Sequence, residues 1–450
     1  MKENRSLELS IQAKELLNKD LSGIFFEMFP FEQLAQLKLS GRRDRIYNTE
    51  NTILTMILTM TQQDKSLQNS VNLYSVIHSR NQKRIESLEL EELQRIESSK
   101  KANKVGRPRK IFIKIQKSKK KDISKDTSGF SQARQRLGQQ AVDLVFNESK
   151  DFADIQYSNT WHGRRVFITD GTYLQMQDTV EIKEKFACPS TNSYPRGLLQ
   201  VLIEQGSGCV YDFRLDSDSK SELLLFASMI ENVPSNSLIL ADDYYNSFAL
   251  FSLLQKKGID IIVPGKRKRN YNHIKTIGKG DELVEIQNSK DAMLSNLYDV
   301  TDKTMIMRRI SYKNFDAKEK DIVIYTSILD EEISKEEIIL KYTNRWDIEI
   351  GIREAKTIMD INIIRSKTPD MAYKELTIAL TSYNYIRKII AKVAEKGDFS
   401  PQGDIFQEFY KDSSSILVDK LGRKYSTWSP GRGGYNNKYN QKSQNTEKTK

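Results

Sequence analysis

The chain of 450 residues is longer than one ordinary domain, and 38% hydrophobic content is enough for a sizeable core in about two or three lobes. The formal net charge of +11 and the isoelectric point near 9.2 favour a polyanionic partner, most commonly nucleic acid. No apolar run of about 18 residues and no signal-peptide pattern occurs, which excludes a membrane span and predicts a cytoplasmic protein. Two cysteines and three histidines are too scattered for a zinc site or a disulfide framework, so any metal is expected to have oxygen ligands.

Residues 1–99 are predicted to form a helical N-terminal region. Apolar residues recur there at helical spacing and alternate with polar turns, for example at Ile53, Met56, Ile57 and Met60. A small helical lobe, serving to bind DNA, is the interpretation that fits this pattern and the basic charge.

Residues 100–127 form a basic linker. Between Lys100 and Lys125 there are 12 Lys or Arg residues and a single acidic one. The segment Gly106-Arg107-Pro108-Arg109 resembles the core of an AT-hook, whose arginines lie in the narrow minor groove of A·T-rich DNA. Arg107 and Arg109 are therefore candidate DNA-binding residues. The alternative is a solvated run of charge with no specific role.

From residue 128 to residue 263 the pattern changes to short apolar strands separated by turns. Strands are predicted at 165–169, 198–204, 210–215, 237–241 and 259–263, and helices at 221–231 and 248–256. Asp170 and Asp242 directly follow the first and the fourth of these strands. The order β-β-β-α-β-α-β, with carboxylates at those two strand ends, predicts an α/β fold with a ribonuclease-H-like mixed sheet.

Residues 264–329 are predicted to be a β-rich insertion, with strands near 282–286, 305–312 and 321–328. The catalytic core resumes at 330–395 with helices at 335–360 and 373–395. Residues 396–428 are a C-terminal region. The basic tail 429–450 has almost no apolar side chains and is predicted to be disordered.

The predicted helix 335–360 carries an ordered polar row. Spacings of three, four and seven residues stay on one helix face. The row consists of Tyr342, Arg345, Glu349, Arg353 and Lys356. Beside it lies an apolar stripe that would pack on the sheet, made of Ile348, Ile352, Ala355 and Met359. On spacing alone, an ordinary surface ladder of ion pairs explains the polar row equally well.

The spacing Tyr-(2)-Arg-(3)-Glu-(6)-Lys in this row resembles the signature of the transposases related to insertion sequence four. Asp170-Gly171-Thr172 resembles the first-aspartate block of the same family. Ala241-Asp242-Asp243 resembles the second block, where the family often has Gly-Asp-Arg. Asp243 thus stands where an arginine is usual, and whether it contributes to a metal site is left open.

The resemblance implies a DDE transposase that cuts DNA at transposon ends and joins it to target DNA by cut-and-paste transposition. Its catalytic, metal-binding residues would be Asp170, Asp242 and Glu349. Two Mg²⁺ ions, with Mn²⁺ able to substitute, suit such carboxylate oxygens and would stabilise the attacking and the leaving oxygen. Tyr342, Arg345 and Lys356 would contact DNA phosphate.

The implied partners are the terminal inverted repeats, target DNA and a second copy of the chain in a paired-end complex, on the bacterial nucleoid. Three alternatives stay open. The chain could be a non-enzymatic or inactivated DNA-binding relic of a transposase, or a ribonuclease-H-fold nuclease without strand transfer. Asp170 and Asp242 could also be plain turn residues that end their strands, as Asp commonly does.

Overall fold

The computed structural model describes residues 29–37, 46–62, 64–76, 78–79, 124–150, 160–190, 193–266, 269–288, 292–313, 321–343, 345, 351–352, 356 and 360–397. The predictions for the basic linker with Arg107 and Arg109, for Glu349 and for the C-terminal tail lie outside these residues.

One large mixed β-sheet runs through the described residues. Its strands are β1 Thr160–Trp161, β2 Arg164–Gln175, β3 Arg196–Glu204, β4 Val210–Ser217, β5 Ser237–Leu240, β6 Ile259–Pro264, β7 Tyr271–Gly278, β8 Asp281–Gln287, β9 Thr304–Lys313 and β10 Asp321–Thr326. They lie in the order β4-β3-β2-β5-β6-β10-β9-β8-β7, and β1 pairs with β2. The pairs β2–β5 and β5–β6 are parallel, and the other pairs are antiparallel.

Helices cover both faces of this sheet. They are α1 Phe31–Gln36, α2 Thr49–Met60, α3 Ser128–Arg136, α4 Gln139–Ser149, α5 Val180–Lys185, α6 Glu222–Ala227, α7 Phe248–Lys256, α8 Ala292–Leu297, α9 Lys335–Thr343 and α10 Pro369–Gly397. Across the part of the chain that the structure describes, no helix has the length and apolar character needed to cross a membrane. The described residues therefore make a mixed α/β fold.

Alternation along the central strands builds two cores, one on each face of the sheet. On β2, Val166 and Ile168 enter the core that helices α2, α4 and α10 complete. Phe167, which lies between them, enters the opposite core, completed by α6, α7 and α8. Because successive side chains of a strand point to opposite faces, a central strand buried on both faces is apolar throughout. β5, whose four residues are all buried, shows this pattern.

The predicted order β-β-β-α-β-α-β is found in β2, β3, β4, α6, β5, α7 and β6. The prediction that β2 ends at Thr169 is wrong, since this strand continues to Gln175. β3 pairs with the whole second half of β2, from Asp170 opposite Val201 to Gln175 opposite Arg196. This antiparallel partner supplies backbone hydrogen bonds that a local turn signal cannot reveal.

The predicted helix 221–231 is divided in the structure. α6 ends at Ala227, and a short 3-10 helix follows at Ile230–Asn232. The Ser228 hydroxyl donates to the Leu225 carbonyl at 2.7 Å, within the last turn of α6. Serine hydroxyls compete in this way with the helical hydrogen bonds of the backbone, which favours a helix end.

Several elements had no sequence prediction, among them α5 and β7. Helix α5 is short, and the Thr179 hydroxyl caps it by accepting from the Ile182 amide. Strand β7 is exposed along most of its length and lacks the apolar alternation by which a strand is recognised. A capping hydrogen bond supports α5 and pairing with β8 supports β7, and an apolar pattern in the sequence reveals neither.

The β-rich segment after residue 264 continues the central sheet. β10 pairs antiparallel with β6, with Ile324 opposite Pro264, and β9, β8 and β7 follow outwards. A buried ion pair joins β8 to β9 here: Arg308 donates to the Asp281 carboxylate at 2.8 and 2.6 Å. Arg308 also donates to the carbonyls of Asp330 and Ile333, which ties the following loop to the sheet.

Candidate active site

Asp170 and Asp242 are brought together by the parallel pairing of β2 and β5. Ile168 lies opposite Leu240 in this pairing. Each aspartate comes two residues later on its own segment, and a separation of two residues keeps a side chain on the same face of an extended chain. The two carboxylates therefore lie side by side at the point where β5 ends.

The backbone after β5 distinguishes Asp242 from Asp243. Asp242 caps the 3-10 helix Asp243–Tyr245, and its Oδ1 accepts from the Tyr244 amide at 2.8 Å. Asp243 Oδ1 accepts from the Lys266 amide at 2.9 Å, which ties this turn to the segment after β6. Besides burial, the negative charge of Asp242 raises the pKa of the Asp170 carboxyl.

Burial raises the pKa of the Asp170 carboxyl from its ordinary 3.8 to about 6. The amide of Gly171, which donates to Asp170 Oδ1 at 3.0 Å, opposes this rise. The negative charges of Asp242 and Glu222 raise this pKa further, and the positive charge of Arg345 lowers it. The site is thus a half-buried cluster of negatively charged side chains.

Glu222 is a third carboxylate at this site, and it was not predicted from the sequence. It is the first residue of α6, and its Oε2 accepts from the Tyr245 hydroxyl at 3.3 Å. Burial raises its pKa, the hydrogen bond from Tyr245 opposes that rise, and the charge of Asp242 adds to it. A glycine inside a strand often marks a close approach, so Gly171 was the available sequence signal.

A buried hydrogen-bond network lies beneath the carboxylates. The Gln200 amide group donates to the Thr169 hydroxyl and to the Tyr245 hydroxyl, both at 2.8 Å. The Thr169 hydroxyl donates in turn to the Val201 carbonyl at 3.0 Å. Burial raises the pKa of Tyr245 well above its usual range, so this phenol stays protonated and available as a donor. The network joins β2 and β3 to the segment that follows β5.

Tyr342 and Arg345 lie on the side of the sheet where Asp170 and Asp242 meet. The Arg345 guanidinium lies 6.0 Å from the centre of the Tyr342 ring and hydrogen-bonds to that residue. Burial raises the pKa of Tyr342, Arg345 lowers it, and the charge of Asp242 raises it. The structure therefore brings these two signature residues within electrostatic range of the predicted catalytic carboxylates.

Lys356 reaches β2 just beyond Asp170. Its ammonium donates to the Thr172 hydroxyl at 2.9 Å and to the Tyr173 carbonyl at 3.3 Å. The following segment is fastened to the end of β2, because Gln175 donates to the Asn362 carbonyl and accepts from the Ile364 amide. This pairing places Lys356 at the edge of the site.

Gly351 shows how closely the signature segment packs on the sheet. A Cβ added there would lie 3.1 Å from Ile203 Cδ1, on β3. Ile352, predicted to face the sheet, is partly buried against the same core. Glu349, the third predicted catalytic residue, is outside the described residues, as are Arg107 and Arg109. The roles of these three residues stay predictions.

The donor chemistry of Asp170 and Asp242 fits a divalent cation. Carboxylate oxygens are hard ligands of the kind that Mg²⁺ and Mn²⁺ take. No group of three or more His, Cys, Asp or Glu side chains within the described ranges is arranged to hold a metal ion. The described residues thus provide two adjacent carboxylates, and the predicted third ligand is Glu349.

Comparisons with known proteins relate the chain to transposases. The family model described as "Transposase DDE domain" matches residues 161–385, half of the chain. The transposase InsG for insertion sequence element IS4 from Escherichia coli K12 is 29% identical over 286 residues, 60% of this chain and 62% of that protein. The putative transposase InsZ of the same strain is 30% identical over 138 residues, 29% of this chain and 46% of that protein. The chain thus spans less than two thirds of the length of either relative.

A solved structure of the piggyBac transposase in a synaptic complex with hairpin DNA covers 94% of this chain and 83% of its own, at 12% identity and a TM-score of 0.41. That score is too low to identify a shared fold. The family match covers β1 through most of α10 and includes Asp170 and Asp242, and the similarity to the transposase of insertion sequence IS4 confirms the resemblance seen in the sequence. The chain belongs to the family of proteins that carry a transposase DDE domain.

Proposed function

We propose that this chain is a DNA transposase that cleaves DNA at the ends of a mobile element and joins the freed ends to target DNA. The observation that carries the proposal is the adjacency of Asp170 and Asp242, set by the register of β2 and β5. Tyr342, Arg345 and Lys356 lie around them. Two aspartates that only end their strands would need neither a shared face of the sheet nor cationic side chains around them.

We propose a ribonuclease-H-like core for this fold. The order β4-β3-β2-β5-β6, antiparallel as far as β2 and parallel from there, supports it. The proposed core is 128–263 with 330–395, preceded by the helical region 1–99 and the linker 100–127, interrupted by the insertion 264–329, and followed by the regions 396–428 and 429–450.

In the proposed mechanism, Asp170, Asp242 and Glu349 hold two divalent cations, Mg²⁺ or Mn²⁺. Such cations would supply Lewis-acid stabilisation to the attacking and the leaving oxygen of a phosphodiester. Arg345 would grip a phosphate through its planar guanidinium, and Lys356 would contribute a point charge. Tyr342, hydrogen-bonded to Arg345, would orient it. These residues position the DNA backbone against the carboxylates.

The proposed partners are the element's terminal inverted repeats and target DNA, with a homodimer joining two ends. The names of the two Escherichia coli relatives identify transposases, and the net charge of +11 favours a polyanion. Arg107 and Arg109 would extend the contact into the minor groove of A·T-rich DNA.

The test is cleavage and joining of a DNA fragment bearing the element's own ends, with Mg²⁺, Mn²⁺ or EDTA. Asp170→Asn and Glu349→Gln should each lower both reactions by about 10³-fold, because each removes a metal ligand and keeps the side-chain shape. EDTA should abolish both reactions. Asp243→Asn is the matched control: it removes a neighbouring carboxylate charge and should retain most activity.

Each other outcome identifies an alternative. DNA binding without any cleavage by the wild type would make the chain a non-enzymatic DNA-binding protein. Metal-dependent cleavage without joining would make it a nuclease of the same fold. Full activity of Asp170→Asn would remove Asp170 from the mechanism and reduce it to a turn residue.

A further inference from the structure

Gly171 leaves a gap in β2 directly beside Asp170. Since side chains alternate along a strand, a side chain at Gly171 would point to the face opposite that of Asp170. An ideal Cβ at this position would lie 2.3 Å from Glu222 Cδ and 2.6 Å from Glu222 Oε2. The carboxyl group of Glu222 thus occupies the space in which any other residue would have its side chain.

Tyr245 holds the Glu222 carboxylate in this gap. Its hydroxyl donates to Glu222 Oε2 and accepts from the Gln200 amide, and its side chain is fully buried. Tyr245 ends the 3-10 helix that Asp242 caps, so one short segment carries both Asp242 and the donor to Glu222. Glu222 is therefore oriented by the elements that carry the two aspartates.

The charges of these groups act on one another across the strand. Burial is the largest cause of the raised pKa of both Glu222 and Asp170. The charge of Asp242 raises the pKa of Glu222 further, and the charge of Glu222 raises the pKa of Asp170 further. Among the residues that the structure describes, neither aspartate nor Glu222 has an ion-pair partner. Half-buried carboxylates in this arrangement repel one another, and a bound cation relieves that repulsion.

We propose that Glu222 is a positioning residue of the metal-binding centre, whose carboxylate acts on Asp170 and Asp242 from the opposite face of the sheet, through the gap at Gly171, and strengthens the binding of a divalent cation. This inference rests on the proposed function, because it takes Asp170 and Asp242 as cation ligands. It adds a negative charge held in place by Tyr245, beyond the three carboxylates of the family signature.

The test is the affinity of the full-length, DNA-free protein for Mn²⁺, measured by titration calorimetry. Glu222→Gln keeps the side-chain shape and can still accept from Tyr245, so the protein should fold normally. It should weaken Mn²⁺ binding by about tenfold, the loss typical of groups that act through a metal ligand. Glu231→Gln is the matched control, since it removes the same charge at a side chain that is 87% exposed, and it should leave the affinity unchanged.

A second variant tests whether Glu222 acts on the aspartates through the gap at Gly171. Gly171→Ala should weaken Mn²⁺ binding because the new methyl group displaces the Glu222 carboxylate. Combined with Glu222→Gln, it should add little, since both changes remove the same interaction. Additive losses would mean that Gly171→Ala acts on Asp170 directly, and would overturn the route through the gap.

Asp170→Asn separates this inference from the proposed function. If Asp170→Asn abolishes Mn²⁺ binding while Glu222→Gln stays within about twofold of wild type, the role of Glu222 is overturned and the proposed function stands. If Asp170→Asn leaves Mn²⁺ binding unchanged, both fall.

Discussion

Two regions of the sheet, an outer part and the junction of β2 and β5, place their acidic residues in opposite electrostatic settings. In the outer part, Asp281 is paired with Arg308, and both side chains are almost fully buried, at 5% and 1% exposure. At the junction of β2 and β5, Asp170, Asp242 and Glu222 are half-buried and have no ion-pair partner among the described residues.

The two regions differ in whether the acidic residue has an ion-pair partner among the described residues. A buried carboxylate in an ion pair is costly to leave unpaired, and hydrogen bonds from its partner already occupy its oxygens. Neighbouring carboxylates that lack an ion-pair partner make the folded state less stable, and they are the groups that a cation or substrate would bind. The same residue type thus occurs in two electrostatic settings in one sheet.

Breaking the buried ion pair of Asp281 and Arg308 should produce the largest change in stability. Arg308→Met would leave Asp281 buried without its partner and should lower the free energy of unfolding by about 3–5 kcal/mol. Denaturant unfolding followed by circular dichroism would measure it. Arg309→Gln, which removes the neighbouring and more exposed pair with Glu282, should cost less than about 1 kcal/mol. Equal losses from the two variants would contradict a special role for the buried pair.

Removing the charge of Asp170 at the junction of β2 and β5 should change stability in the opposite direction. The pKa of Asp170 in the folded protein, about 6, is above its ordinary 3.8, so the ionised form destabilises the fold. This loss of stability is fully present above pH 6. It disappears towards about pH 4, where Asp170 becomes protonated in both the folded and the unfolded state. Metal-free Asp170→Asn should therefore be more stable than wild type by about 1–3 kcal/mol at pH 7, and equally stable near pH 4.

Thermal or denaturant unfolding of both proteins in EDTA, at several pH values between these limits, would test that gain. A variant that is less stable than wild type at pH 7 would show that Asp170 has a structural role like that of Asp281. A gain that persists unchanged at low pH would show that ionisation is not its cause.

A smaller effect is expected from Lys356, the cation that contacts β2 beside this junction. Lys356 donates to Thr172 and Tyr173 and forms no ion pair with the described acidic groups, so its charge is available to DNA phosphate. Lys356→Gln should weaken DNA binding by about fivefold, equivalent to about 1 kcal/mol, and lower the slope of affinity against salt by about one.

Fluorescence anisotropy with labelled DNA across a range of salt concentrations would measure both quantities. Thr172→Val is the control, since it removes one hydrogen-bond acceptor and keeps the charge of Lys356. An unchanged salt slope in Lys356→Gln would mean that this lysine only fastens the segment after it to β2.

Much of the core was accessible from the sequence because its signals are local. The apolar runs of β2, β5 and β6 identify strands, and Asp170 and Asp242 stand directly after such runs or within them. The spacing of Tyr342, Arg345, Glu349 and Lys356, together with the two aspartate blocks, indicated the family. Strand β7 and helix α5 carry no comparable apolar pattern, and they were missed.

By itself, the sequence identified most of the strands, the acids in or beside them, and the family of the chain, since each depends on neighbours in the chain or on a fixed spacing. The tertiary structure decided that Asp170 and Asp242 share a face, that β10 joins β6 and so extends the sheet, and that Glu222 fills the gap at Gly171. These features depend on register and contact between residues far apart in the chain. No local pattern encodes such pairings, because packing selects them once the strands and helices assemble.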